Sequence, residues 1–359
     1  MKERIKRVFS LIDDAINLIL LKNSGCFNPS FFYITGLAKG FFEDTMTVVW
    51  RDGNVEVFIS QLDLVGDAPS HVTFHPVKSV DETKKKMEKS IDPSCTVGFD
   101  GRYLTHADYK FIRKMLPKRR LRDISRDMIR VRLIKDRWEV ENIKQACSVV
   151  SRVATEIPEM LCDGATEHEV AAEIDYRVRR YGGEKEAFET IVAFGENSAM
   201  PHYTRGGKQL KRGDLVLVDF GASVNRYVSD ISRTFVYGKS NSQQRRMYEV
   251  VLHAQQEAID SIKEEATFES IHKAVQNFID NTEFKGRFIH STGHTLGLEV
   301  HDGFSITTGC KEKFSSGMVF TVEPGVYLPS VGGVRIEDDL FIDKGRVKVL
   351  TSAPKEFEV

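Results

Sequence analysis

The chain of 359 residues carries 51 basic and 52 acidic side chains, a formal net charge of −1, with 41% hydrophobic and 29% charged residues. That composition excludes an intrinsically disordered chain, and the balanced charge gives no global field for nucleic acid or an anionic membrane. The length exceeds what one hydrophobic core ordinarily serves, so two domains are expected, and a small substrate fits better than a polyanion.

In chain order, "MKERIKRVFSLIDDAINLILLKN" begins basic in the manner of a signal peptide, but Asp13 and Asp14 interrupt its apolar run. The segment is expected to form an amphipathic helix. No apolar stretch approaches the ~20 residues that cross a bilayer, so a cytoplasmic protein is expected. "TMTVVWRDGNVEVFIS" predicts a hairpin whose two-residue turn, Asp52-Gly53, supplies the positive φ angles. "TVGFD" predicts a strand and "THADYKFIRKML" a helix, and the alternation gives a small α/β domain over residues 1–125. The basic stretch "PKRRLRDISRDMIRVRLIKDRW" is expected to be a solvated linker leading into a helix rather than a nucleic-acid patch. Cys26, Cys95, Cys147, Cys162 and Cys310 are odd in number and widely spaced, which suits reduced thiols.

Residues 126–359 are expected to form the second domain. "DRWEVENIKQACSVVSRVATEIPEML" predicts a long helix, and "TEHE" opens another, with Thr166 and Glu169 at capping-box spacing. Two more helices fit "SQQRRMYEVVLHAQQEAIDSIKEE" and "TFESIHKAVQNFIDN". Strand-rich blocks at 188–237 and 288–350 follow each helix pair, an internal repeat that predicts an antiparallel sheet backed by helices.

The first block contains "LVLVDFGASVNRYVSDISRTF", two apolar strands that each carry an aspartate, Asp219 and Asp230. A turn centred on Val224-Asn225 would set them directly opposite on one face, roughly 5 Å apart. Two buried carboxylates at that separation repel and lose hydration, and a cation between them resolves both costs. Downstream, "HSTGHTLGLEVHD" carries His290, His294 and His301, "FTVEPGVY" carries Glu323, and "GGVRIEDD" carries Arg335 and Glu337. Four carboxylates and an imidazole form a hard, oxygen-rich set suited to two divalent ions such as Mn, Co, Zn or Fe.

These residues, over about 130–350, resemble the pita-bread metallopeptidases: methionine aminopeptidases, Xaa-Pro aminopeptidases, Xaa-Pro dipeptidases and the metal-free creatinases. The resemblance implies an α+β fold, with a small creatinase/prolidase-type N-terminal α/β domain before a pita-bread domain whose curved antiparallel sheet is backed by helices. It also implies that Asp219 binds one metal, Asp230 and Glu337 bridge both, and His294 and Glu323 complete the coordination of the second metal, with manganese the first choice. Glu323 would double as proton shuttle. His202, in "SAMPHY", would lie beside the substrate, and His301 would hydrogen-bond its carbonyl. His290 and Arg335 would line the pocket of the proline-specific branch, with Tyr327 a further pocket residue. The N-terminal domain, "GHTLGLEVHD" and "VRIEDD" point to that branch, and a homodimer acting on proline-containing peptides is implied. The expected activity is an Xaa-Pro aminopeptidase, the alternative an Xaa-Pro dipeptidase restricted to dipeptides, and the remote alternative a non-enzymatic binding module. His71, His75, His106, His168, His253 and His272 fall outside the motifs and are expected at the surface or satisfied in the core.

Overall fold

The segment expected to be one N-terminal helix is two elements. Helix α1 (Lys2–Leu11) ends before Asp13, whose carbonyl and carboxylate accept the N–H groups of Ile16 (2.9 Å) and Ala15 (2.8 Å). The apolar run beyond that turn becomes β1 (Leu18–Asn23), in which every residue is buried. A strand without a polar face belongs inside a sheet with neighbours on both sides.

In this computed structural model, which describes residues 1–24, 27–64, 68–204 and 206–359, the chain packs as two units, Met1–Arg132 and Leu133–Val359. Cys26 lies outside the described residues; Cys95, Cys147, Cys162 and Cys310 are free thiols.

The first unit adds α2 (Pro29–Thr35), β2 (Thr45–Trp50), β3 (Val55–Ser60), β4 (Val72–Val77), α3 (Val80–Ser90), β5 (Thr96–Phe99), α4 (His106–Met115), β6 (Arg120–Asp123) and α5 (Ser125–Leu133). Its mixed sheet has the order β4-β3-β2-β1-β5-β6. The β2–β3 hairpin closes through Arg51, Asp52 and Gly53 rather than a two-residue turn, because Trp50 N–H bonds Asn54 O and only Gly53 takes a positive φ (91°). Asp52 caps the Asn54 N–H at 2.9 Å instead. The basic stretch does lead into a helix, α5, but the segment before it is the strand β6 rather than a solvated linker. Arg132 is buried, donating to Ser30 Oγ (2.9 Å) and the Tyr103 hydroxyl (3.3 Å), and Arg119 donates to Ile91 O (2.6 Å).

The second unit starts with α6 (Arg137–Glu156) and α7 (Glu167–Arg180), each with a capping box, the latter made by Thr166 and Glu169 as the sequence predicts. The strands β7 (Lys185–Glu186), β8 (Ile191–Phe194), β9 (Leu215–Phe220), β10 (Ala222–Val224), β11 (Tyr227–Val228) and β12 (Ile231–Val236) follow. Then come α8 (Ser242–Ser261), α9 (Phe268–Asp280), β13 (Val319–Val322), β14 (Gly325–Leu328), β15 (Gly332–Arg335), β16 (Asp338–Asp343) and β17 (Arg346–Val349). The repeat of helix pair and strand block is therefore real, and its named strand pairs are antiparallel. Each half has its own core: α6 and α7 on β8, β9 and β12, and α8 and α9 on β13 to β16. The halves join where Ser232 O accepts the Glu337 N–H at 3.1 Å. Among the described residues no helix is long and apolar enough to cross a membrane.

Candidate metal centre

The strand carrying Asp219 pairs with β12 in a register that sets Asp219 opposite Ser232 and Phe220 opposite Ile231. The turn is centred on Asn225-Arg226, both at positive φ (47° and 69°), not on Val224-Asn225. Asp219 and Asp230 are thus diagonal neighbours on one face rather than directly opposed. The physical reason is the two-residue turn itself: it needs left-handed backbone at both central positions, and here an arginine supplies the second instead of a glycine.

Diagonal placement still leaves Asp230 facing the second half of the unit. One oxygen each of Asp230 and Glu337 and one ring nitrogen of His294 lie within 4.8 Å of one another, all three residues buried. His294 Nε2 is 3.6 Å from Asp230 Oδ2 and 3.5 Å from Glu323 Oε1. Asp219 Oδ2 accepts Arg335 Nη2 at 2.5 Å. Asp219 Oδ1, Asp230 Oδ1 and Glu337 Oε1 are buried and have no hydrogen-bond partner, whereas buried polar atoms are paired almost everywhere in folded proteins. Those three orphaned oxygens beside a buried imidazole fit divalent cations.

The electrostatics agree. Burial, then the charges of Glu337 and Asp219, raise the Asp230 carboxyl well above its ordinary range, and burial, then Glu323 and Asp219, do the same to Glu337. Glu323 is pushed up to about 8, chiefly by burial. Burial and the neighbouring His301 hold His294 down at about 3, which keeps its imidazole neutral, the form that ligates a metal.

Each side chain is placed by local structure. Gly293 lets the His294 loop lie against β13, since a Cβ there would sit 2.0 Å from Thr321 O. Thr321 then accepts and donates on either side of His294, with Oγ1 3.2 Å from His294 N and Thr321 N–H 2.8 Å from His294 O. Ser232 Oγ donates to Glu337 Oε2 at 2.7 Å, and Asp339 Oδ2 accepts the Asp230 N–H at 2.9 Å.

A cleft of about 420 Å³ opens on this cluster and is lined by all five carboxylate and imidazole positions together with His202, His290, His301 and Arg335. Tyr327 is not among its lining residues. It is buried behind the cleft, where its hydroxyl contacts His290 Nε2 (2.8 Å) and accepts Arg335 Nη1 (2.9 Å). Arg335 also donates to Ser232 Oγ (2.9 Å) and Pro201 O (3.4 Å), so four of its five N–H groups are engaged by protein. Of the histidines outside the motifs, His272 supports the site at one remove, with Nδ1 3.0 Å from the hydroxyl of Thr292, whose carbonyl accepts the Glu323 N–H. Sequence reasoning missed Ser232, Asp339 and the apolar wall of Phe188, Ile191 and Val300. Only Asp339 left a signal, as a second acidic residue after Glu337 in an apolar strand.

Buried carboxylates and one imidazole converging from two helix-backed, antiparallel half-sheets define a hydrolase built around divalent cations. The chain belongs to metallopeptidase family M24: that family's model matches residues 141–344, and the Creatinase/Prolidase N-terminal domain matches residues 10–134. An Xaa-Pro dipeptidase of Pyrococcus furiosus is 38% identical over 363 residues, and one of Pyrococcus horikoshii 34% over 365, with 99% of each chain covered in both cases. The solved X-Pro aminopeptidase of Thermotoga maritima has a TM-score of 0.89 at 29% identity, covering 98% of this chain and 100% of that one. The second unit is accordingly a pita-bread domain, and the family is one of enzymes that use divalent metals.

Proposed function

We propose that the protein is an Xaa-Pro dipeptidase that hydrolyses the bond between an N-terminal residue and proline. The observation that carries the hydrolytic reading is the set of three buried, unpartnered carboxylate oxygens on Asp219, Asp230 and Glu337. The sequence alone favours the aminopeptidase; the two full-length relatives, both named dipeptidases, favour the alternative instead. The aminopeptidase stays as a second reading on the Thermotoga maritima likeness.

In this reading Asp219, Asp230, His294, Glu323 and Glu337 hold two divalent ions, manganese first on the strength of a hard, carboxylate-rich set. Such ions supply Lewis-acid chemistry, lowering the pKa of an attacking water and drawing charge from the scissile carbonyl. Glu323 carries the proton from that water to the leaving nitrogen. His301, which lines the cleft with its pKa lowered by partial desolvation, donates to the carbonyl oxygen as charge develops there, and His202 faces the substrate beside it. His290 lines the cleft beside Glu323, its ring fixed by the Nδ1–H donated to Ser291 O (2.8 Å) and by Nε2 against the Tyr327 hydroxyl (2.8 Å). A bond to proline offers no N–H to grip, so recognition falls to the apolar wall of Phe188, Ile191 and Val300, which suits a pyrrolidine ring. Arg335 holds Asp219 and keeps one N–H for substrate, with Tyr327 fixing Arg335 and His290. The protein acts as a cytoplasmic homodimer in this proposal.

The test compares Xaa-Pro with Xaa-Pro-Xaa peptides, with Mn, Co and Zn supplied in turn. Cleavage of dipeptides alone supports the dipeptidase, and cleavage of longer peptides transfers the assignment to the aminopeptidase. Loss of a ligand removes several kcal/mol of charge stabilisation, so Asp219→Ala or Glu337→Ala should lower kcat/KM by about 10³-fold. Near-normal turnover in either variant would sink the metal reading.

A further inference from the structure

Outside the metal cluster, Glu167, the first residue of α7, is a fully buried carboxylate. Its helix does not need it. Thr166 and Glu169 already cap the helix N-terminus, with Thr166 Oγ1 accepting the Glu169 N–H (3.2 Å) and Glu169 Oε2 accepting the Thr166 N–H (2.8 Å).

Among the described residues Glu167 instead accepts five hydrogen bonds, all from the segment 194–208. Oε1 takes the Phe194 N–H and Asn197 Nδ2, both at 2.9 Å. Oε2 takes the Tyr203 hydroxyl (2.8 Å), the Lys208 N–H (3.1 Å) and the Gly206 N–H (3.3 Å). Asn197 Nδ2 also reaches the Tyr203 hydroxyl at 2.9 Å, which closes the network. Burial and the Glu167 charge push the Tyr203 hydroxyl up to about 12, so it remains a donor at neutral pH. Tyr203 and Gly206 approach closely beside this anion, for a Cβ on Gly206 would stand 2.2 Å from the Tyr203 oxygen.

The same segment is pinned on its other side by the site. Ser198 Oγ accepts the Gly333 N–H at 2.8 Å, and Pro201 O accepts Arg335 Nη1 at 3.4 Å. Between these two sets of anchors stands His202, solvent-exposed and lining the cleft, adjacent in sequence to the Tyr203 that Glu167 holds.

We propose that Glu167 is a positioning residue for the hydrolysis: its carboxylate anchors the 194–208 segment and so sets His202 in the cleft. This rests on the reading of His202 as a substrate-facing residue. A displacement of about 1 Å at a reacting geometry can cost about 10²-fold in rate, so an anchor remote from the reacting atoms still acts on them.

The test uses the full chain loaded with Mn. Glu167→Gln keeps the shape but turns an amide N–H₂ toward donors that a carboxylate accepted. It should lower kcat/KM for an Xaa-Pro dipeptide by about tenfold to a hundredfold and leave bound metal unchanged. Tyr203→Phe removes a single donor and should lower it about threefold, and it replaces Glu167→Gln throughout if that variant fails to fold. Amide exchange should quicken in 194–208 and stay as in the parent elsewhere in the second unit. The discriminating measurement is the double variant: with His202→Ala in place, Glu167→Gln should cost no further activity. Effects that multiply, or unchanged exchange across 194–208 in Glu167→Gln, overturn the proposal. Failure of the parent protein to cleave Xaa-Pro peptides overturns the functional assignment instead. Positioning is then decided by the His202 imidazole ¹⁵N signal, expected as one line in the parent and broadened or split in Glu167→Gln, with an unaltered line overturning the proposal.

Discussion

Asp339 does not line the cleft and yet bears on it. Its Oδ2 accepts both the Asp230 N–H at 2.9 Å and the Cys147 thiol at 3.2 Å, while its Oδ1 is buried without a partner. Burial pushes its carboxyl up to about 8, against the pull of those two bonds. The residue fixes the backbone from which Asp230 projects. Groups that orient metal ligands typically contribute about 10- to 100-fold in affinity, so Asp339→Asn should weaken Mn binding by that order in calorimetry while the far-ultraviolet spectrum stays as in the parent. Cys147→Ala removes one of the two donors and should weaken it less. Equal affinity in Asp339→Asn and the parent would show that Asp230 is held by its strand alone.

At the scale of elements, the site depends on how closely two backbone segments approach. Gly293 meets Thr321 O where any side chain would overlap it, and this contact brings the His294 loop onto β13. Gly293→Ala should therefore cost about 1–3 kcal/mol or more in chemical denaturation, and it should reduce metal affinity along with stability. Stability lost with full affinity retained would separate the contact from the site. The same elements show what a sequence can and cannot disclose. Asp219, Asp230, Glu323 and Glu337 were legible because a charge in an apolar strand contradicts its surroundings. The register between the first two was not, because Arg226 fills a left-handed position that glycine or asparagine would have advertised. The N-terminal run was misjudged because Leu18 to Leu21 suit a buried helix and a central strand alike. Glu167 was invisible for a different reason: an acidic residue in the first turn of a helix is commonplace, and its five donors become neighbours only through the fold. The partners of Arg335 were hidden by distance, with Asp219 lying 116 positions away in the chain.

Across the whole molecule, the buried carboxylates make stability depend on pH and on cations together. Glu323 and Asp339 are each pushed up to about 8 from the ordinary carboxylic-acid values of 4.5 and 3.8. Between those limits the folded chain without cations holds protons that the unfolded chain has released, so its stability falls as pH rises through that window. A preparation stripped with chelator should lose Tm progressively from about pH 5 to about pH 8, and added Mn should restore it at the upper end with release of protons. A Tm that is flat across that range would contradict the arrangement. The seam between Ser232 and Glu337 has a consequence for biosynthesis. A ribosome delivers Asp219 and Asp230 with the first half-sheet, while Glu323 and Glu337 emerge only after α8 and α9 have followed. In the proposed reading the nascent chain carries two acidic groups with no cage to share until the second half-sheet has followed the first, so metal capture would report that both halves have been made and joined.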